Sequence, residues 1–268
     1  MDLAFDHVVH FLRREPAEAA AAFAVCGFHT VPGGRHLPWG TWNALSYFDL
    51  SYVEFFAVEQ AEIASKSDNP LVRQLVDDSS LGEGFGQIAL RTTQMDEWAR
   101  RLMTKDLSIT GPLQGSRMRE DGTEIRWRML FVETGKSGFR PPFLIEWAQP
   151  DEERRADLSL RGVIASHPNE TRVLAGIGYA VHDLEQAAQR WKNWFAGESS
   201  PVFYDVCTDA WCTRFSLPGA DVCFCQPKGE GLAFQALRTR GERPFIAWVK
   251  GGETAREWQV CGGLYRTE

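Results

Sequence analysis

"FDHVVHFLRREPAEAAAAFAVCGFHTV", residues 5–31, carries a strand, a helix and the start of a second strand. Phe5 to Leu12 reads as an apolar strand with Asp6, His7 and His10 set into it. Pro16 sits where a first helical turn tolerates it, and Glu15 and Glu18 suit the positive end of the helix dipole. The alanine-rich run favours helix, and Gly27 supplies the left-handed residue that ends one.

The pattern recurs twice. In "FGQIALRTTQMDEWARRLMTKDLSITG", residues 85–111, Phe85 to Arg91 is the strand, Thr92 or Thr93 caps a helix, and Met95, Trp98, Leu102 and Met103 fall at helical spacing. In "GIGYAVHDLEQAAQRWKNWFAGES", residues 176–199, Asp183 caps, Leu184, Ala187, Trp191 and Trp194 form the apolar stripe, and Gly197 ends the helix. Short strands follow each helix, and "EDGT" at 120–123 is a two-residue hairpin signal. The unit is β-α-β-β-β, present three times. "RPFIAWVKG" and "WQVCGGLYR" add two strands, a truncated fourth unit that completes a sheet with the third. Residues 60–84 read as a polar join, and the charged run "QPDEERRADLSLRG", residues 149–162, as a solvated helix or linker.

Composition narrows the class. The chain has 268 residues, 44% hydrophobic and 24% charged, so it has material for a real core. A net charge of −7 argues against nucleic acid or an anionic membrane as partner. No run reaches the roughly 18 apolar residues of a membrane span, and "MDLAFDHVV" shows no secretory signal. A cytoplasmic setting with reduced cysteines is expected. Of the six cysteines, Cys207, Cys212, Cys223 and Cys225 cluster as C-x4-C-x10-C-x-C. A zinc site is one reading, but no C-x2-C knuckle is present, and buried cysteines acting as small hydrophobes are favoured. No nucleophile-elbow, Rossmann or P-loop motif occurs, so no nucleotide cofactor is expected.

The stretches "DHVVHFL", "EPAEAAAAFAVCGFHTVPGGRHLPWGTWNALSYFDLSYVEFF", "IALRT", "GPLQGSRMREDGTEIRWRMLF" and "PPFLIEW" resemble the glyoxalase-like domain family of the vicinal oxygen chelate superfamily, over about residues 5–160. The resemblance implies an α+β fold of paired βαβββ modules, curved mixed sheets forming a cup, and helices on the outer faces. It divides the chain into a paired domain over residues 1–160 and a structural or dimer-forming part over 161–268, with a homodimer possible.

In metal-using members of that superfamily, the first and last strands of each module supply the ligands. Strand alternation puts His7 on one face of its strand, with Asp6 and His10 on the other. Glu54 lies on the last strand of module one. Aligning Phe5 with Phe85 puts Gln87 at the equivalent of His7, and Glu146 follows on the last strand of module two. The resemblance thus implies His7, Glu54, Gln87 and Glu146 as ligands of Zn, Ni, Fe or Mn, with Glu146 also the catalytic base. The plainer alternative is a hydrogen-bonded histidine and glutamates paired with arginines. Tyr179 stands at the His7 position of module three, so no second metal site is expected there.

The loop "VPGGRHLPWGTWNALSYF", residues 31–48, offers His36 and Asn43 to a ligand, with Trp39 and Trp42 as stacking walls. Arg126 and Arg128 alternate with Trp127 and Met129; if their face lines the cup they bind an anionic substrate, and otherwise they are surface charge. Tyr47 is a further cavity candidate, with a buried structural tyrosine the favoured reading. The expected function is a metal-dependent lyase or isomerase acting on a small molecule. The alternative is a metal-free protein that binds a small or antibiotic-like molecule.

Overall fold

Each of the three units closes in the same way, its first strand pairing parallel with its last. A computed structural model describes residues 2–105, 107–119, 121–133, 139–252 and 255–268. The first unit is β1 (Ala4–Leu12), α1 (Pro16–Val25), β2 (Val31–His36), β3 (Thr41–Phe48) and β4 (Ser51–Val58). Two short helices, α2 (Ala61–Ala64) and α3 (Pro70–Asp77), lead to the second unit: β5 (Gly84–Arg91), α4 (Met95–Met103), β6 (Ser108–Met118), β7 (Glu124–Glu133) and β8 (Phe143–Trp147). Helix α5 (Asp151–Leu160) connects to the third: β9 (Thr171–Ala180), α6 (Leu184–Phe195), β10 (Phe203–Asp205), β11 (Ala210–Phe215) and β12 (Asp221–Pro227). After α7 (Leu232–Arg240) come β13 (Pro244–Gly251), β14 (Glu257–Val260) and β15 (Gly263–Thr267).

The first two units share a sheet ordered β2-β3-β4-β1-β5-β8-β7-β6, joined where β1 and β5 run antiparallel. The second sheet, β10-β11-β12-β9-β13-β15-β14, repeats that order with one strand fewer. The fold is α+β with curved mixed sheets. The fourth unit has three strands, because "WQVCGGLYR" folds back at Cys261 and Gly262 into β14 and β15. Glu120 of the expected hairpin lies outside the described residues; beside it, Arg119 N donates to Thr123 O at 2.9 Å.

Apolar residues from both sheets and the helices between them form one core. Phe5 and Val8 of β1, Phe23 of α1, Trp98 of α4, Ile177 of β9, Trp191 of α6 and Tyr265 of β15 belong to it. The opposite face of the first sheet is the cup, where Val9, Phe56, Trp127, Met129, Phe143 and Ile145 pack with Leu71, Val72 and Leu75 of α3. Both connectors differ from their sequence reading. Residues 60–84 send α3 into the cup, and α5 buries Arg154 and Leu158 against it. Among the described residues, no helix is long and apolar enough to cross a membrane.

Candidate functional site

A β-bulge builds the floor of the cup. Phe5 pairs with Leu90 and His7 with Ala89, leaving Asp6 as the extra residue. The bulge defeats strict alternation and brings Asp6 to the side of His7 rather than that of His10. Asp6 Oδ1 accepts from His7 Nδ1 at 2.7 Å, and Oδ2 accepts from Trp147 Nε1 at 3.0 Å and Arg154 Nη1 at 3.4 Å. Burial alone would raise the Asp6 carboxyl, but the charge of Arg154 and the hydrogen bond from His7 outweigh it and hold it at about 2.

His7 is buried between two carboxylates. Its Nε2 lies 3.4 Å from Glu54 Oε2. The ring stacks on Tyr52 with centroids 4.5 Å apart, and Tyr52 stacks in turn on Tyr47. Burial pulls the imidazole down, yet Asp6 and Glu54 together hold it above its ordinary value. Burial likewise raises Glu54, but His7, the charge of His36 and a 2.6 Å bond from Asn43 Nδ2 hold its carboxyl down. His36 moves the other way: burial pushes it to about 4.

Above this floor opens a cavity of about 470 Å³, within the range of small-molecule sites, roughly 300–1,000 Å³. Trp39, Tyr47, Trp127 and Trp147 supply aromatic wall. Arg117 reaches in from β6, and its guanidinium makes no hydrogen bond or salt bridge among the described residues; burial lowers it, while the charge of Glu54 acts the other way. Gly34 makes room for it, since a Cβ there would stand 2.7 Å from Arg117 Cδ. Arg154 enters from α5, its guanidinium 4.2 Å from the centre of the Trp147 ring. Arg154 Nη2 and Asn43 Oδ1 are buried with no hydrogen-bond partner among the described residues, so the cavity holds polar capacity that a ligand would use.

The expected ligand set does not assemble. His7 and Glu54 meet, but Gln87 borders a neighbouring cavity, where Nε2 donates to Pro141 O at 3.0 Å and Oε1 accepts from Ile88 N and Tyr179 OH. Glu146 points to the helix side: Oε1 accepts from Met95 N at the start of α4, and Oε2 accepts from Arg128 Nε at 2.7 Å. Phe143, Ile145 and Trp147 are the residues that β8 turns toward the cavity. Two donors on one side and apolar side chains on the other do not fit a four-ligand ion.

The other expected residues divide. His36, Trp39 and Asn43 line the cavity. Trp42 faces away, packed on the shared core. Arg128 lies on the outer face, bound to Glu146 and Asp96. Arg126 stands exposed at the rim, paired with Glu124 at 2.7 Å.

Sequence reasoning missed Asp6, Tyr52, Trp147 and Arg154, left Arg117 without a role, and read Tyr47 as structural. One signal was available: Arg154, Asp157, Leu158 and Arg161 fall on one helical face of the charged run, and all four line the cavity. The bulge at Asp6 has no such signature.

Among curated proteins, none matches this sequence. Of solved structures, a hypothetical protein from Staphylococcus aureus is similar over 99% of both chains, with 21% identity and a TM-score of 0.78. A mutant of 4-hydroxymandelate synthase from Streptomyces coelicolor is similar over 94% of this chain and 72% of its own, with 12% identity and a TM-score of 0.61. At these identities the likeness is one of fold. Residues 5–195 match the family described as the glyoxalase-like domain, a span that continues past the first sheet to the end of α6. By that match, and by paired βαβββ modules around a cup, the chain belongs to the glyoxalase-like domain family of the vicinal oxygen chelate superfamily.

Proposed function

We propose that the cup binds a small organic anion with a flat apolar part, and that His7 exchanges a proton with it in a metal-free lyase or isomerase step. One observation carries this reading: a histidine held between Asp6 and Glu54 opens on a cavity whose wall bears Arg117, a buried guanidinium that makes no salt bridge among the described residues. Asp6 fixes the ring by accepting the Nδ1–H hydrogen bond, which turns Nε2 to Glu54 at the edge of the cavity. Raising the imidazole above its ordinary value suits an acid or base that works near neutrality. Arg117 offers fork-shaped donors to a carboxylate. Trp127, Trp147 and Tyr47 suit a flat apolar group. A metal-dependent reaction draws less support, because Gln87 and Glu146 are bonded elsewhere.

Calorimetric titration with phenylacetate and its neutral analogue phenylacetamide tests the ligand class. Phenylacetate is expected to bind at least about tenfold more tightly, a difference of about 1.4 kcal/mol, and Arg117→Met should erase that preference. Equal binding of the two, binding of neither, or a preference that survives Arg117→Met would overturn the reading.

A further inference from the structure

The second sheet gathers sulfur on the face turned away from the shared core. Cys212 of β11 and Cys223 and Cys225 of β12 are all buried. Antiparallel pairing sets Cys212 opposite Cys225, and Cys223, two positions along, shares its face. The three Sγ atoms lie within 4.8 Å of one another, the only such group of three among the described residues. Around them stand Ala210, Ala233, Ile246 and Trp248.

Simple apolar packing explains the burial but not the convergence. The Cys225 thiol is directed at the Cys223 sulfur across 3.9 Å. A cation with metal–sulfur bonds of about 2.3 Å in a trigonal site would set its sulfurs about 4 Å apart, close to the 3.9 Å between Cys223 and Cys225. A disulfide would need about 2.05 Å. The cover is thin, since α7 contributes one fully buried residue, Ala233.

We propose that Cys212, Cys223 and Cys225 form a three-thiolate site for a soft closed-shell cation such as Zn²⁺, Cd²⁺ or Cu⁺. The site is separate from the His7 cavity and shares no residue with it. Thiolates select such ions over harder ones, and loading releases protons, so affinity falls as the solution is acidified. Cys207 is exposed and takes no part.

Cadmium titration of the reduced, metal-free full-length protein tests this, read by the thiolate-to-cadmium ultraviolet band and by equilibrium dialysis. One equivalent with the band is expected. Cys212→Ala and Cys225→Ala should each abolish it, while Cys207→Ala and His7→Ala leave it unchanged. Cadmium-edge X-ray absorption on the unaltered protein, which needs no variant to fold, should find three sulfur neighbours. No band, a band that survives in Cys212→Ala and Cys225→Ala, a band lost in Cys207→Ala or His7→Ala, or a shell of nitrogen and oxygen would overturn the proposal.

Discussion

His7 Nε2 and Glu54 Oε2 stand 3.4 Å apart, although the residues are 47 positions apart in the chain. The parallel pairing of β1 with β4 makes the contact, setting His7 against Tyr52 and Val9 against Glu54. Asp6 completes the row on the far side of the ring. The imidazole is thus held between two carboxylates at the floor of the cup.

Asp6→Asn should be strongly destabilising. Asp6 is fully buried and, among the described residues, is the one carboxylate bonded to Arg154. Removing it leaves a buried guanidinium without compensation, which costs about 3–5 kcal/mol. Because the folded carboxyl titrates at about 2 rather than 3.8, its stabilisation is complete above pH 3.8 and is lost as pH falls through about 2. Urea unfolding at neutral pH and in acid measures both effects: the variant should be less stable at neutrality and lose less between those two values.

Glu146→Gln should leave ligand binding in the cup unchanged. Its carboxylate serves the first turn of α4 and pairs with Arg128, on the far side of the sheet from the cavity. A stability loss of about 1 kcal/mol is expected from the weakened cap and ion pair. Calorimetry with phenylacetate checks the first point and urea unfolding the second. A four-ligand metal centre that included Glu146 would instead lose its function outright.

His10 should make the fold acid-sensitive. Its Nε2 donates to Cys261 O at 2.8 Å and its Nδ1 accepts from Tyr265 OH at 2.9 Å, a set that a neutral ring satisfies and a charged one does not. Burial holds the folded ring at about 4 against an ordinary 6.5. The contribution is therefore present above pH 6.5 and lost as pH falls to about 4, roughly 3 kcal/mol at most. Urea unfolding across that window should show a shallower decline in His10→Gln than in the unaltered protein.

The fold was legible because helix signals and short strands recur in one order, and composition left room for a two-sheet core. Half of the site was legible too: His7, His36, Trp39, Asn43 and Glu54 line one cavity. The errors share a cause. Strands β1, β7 and β8 bury residues on both faces, so alternation says which residues share a side but not which side is the cup. Glu146 drew attention as a carboxylate among apolar neighbours, yet it is Phe143 and Ile145 of that strand that face the cavity. Trp42 and Arg128 failed in the same way. Arg154 was hidden by its surroundings, because a run of charges reads as solvated until the helix is rotated to its one inward face.

Nuclear magnetic resonance titration of the His7 ring nitrogens in the unaltered protein and in Glu54→Gln tests the central claim most directly. His7 should titrate above 6.5 in the unaltered protein, with its Nδ1 proton held by Asp6, and its value should fall when Glu54 loses its charge. A His7 that titrates below 6.5, or one that does not respond to Glu54→Gln, would contradict the account.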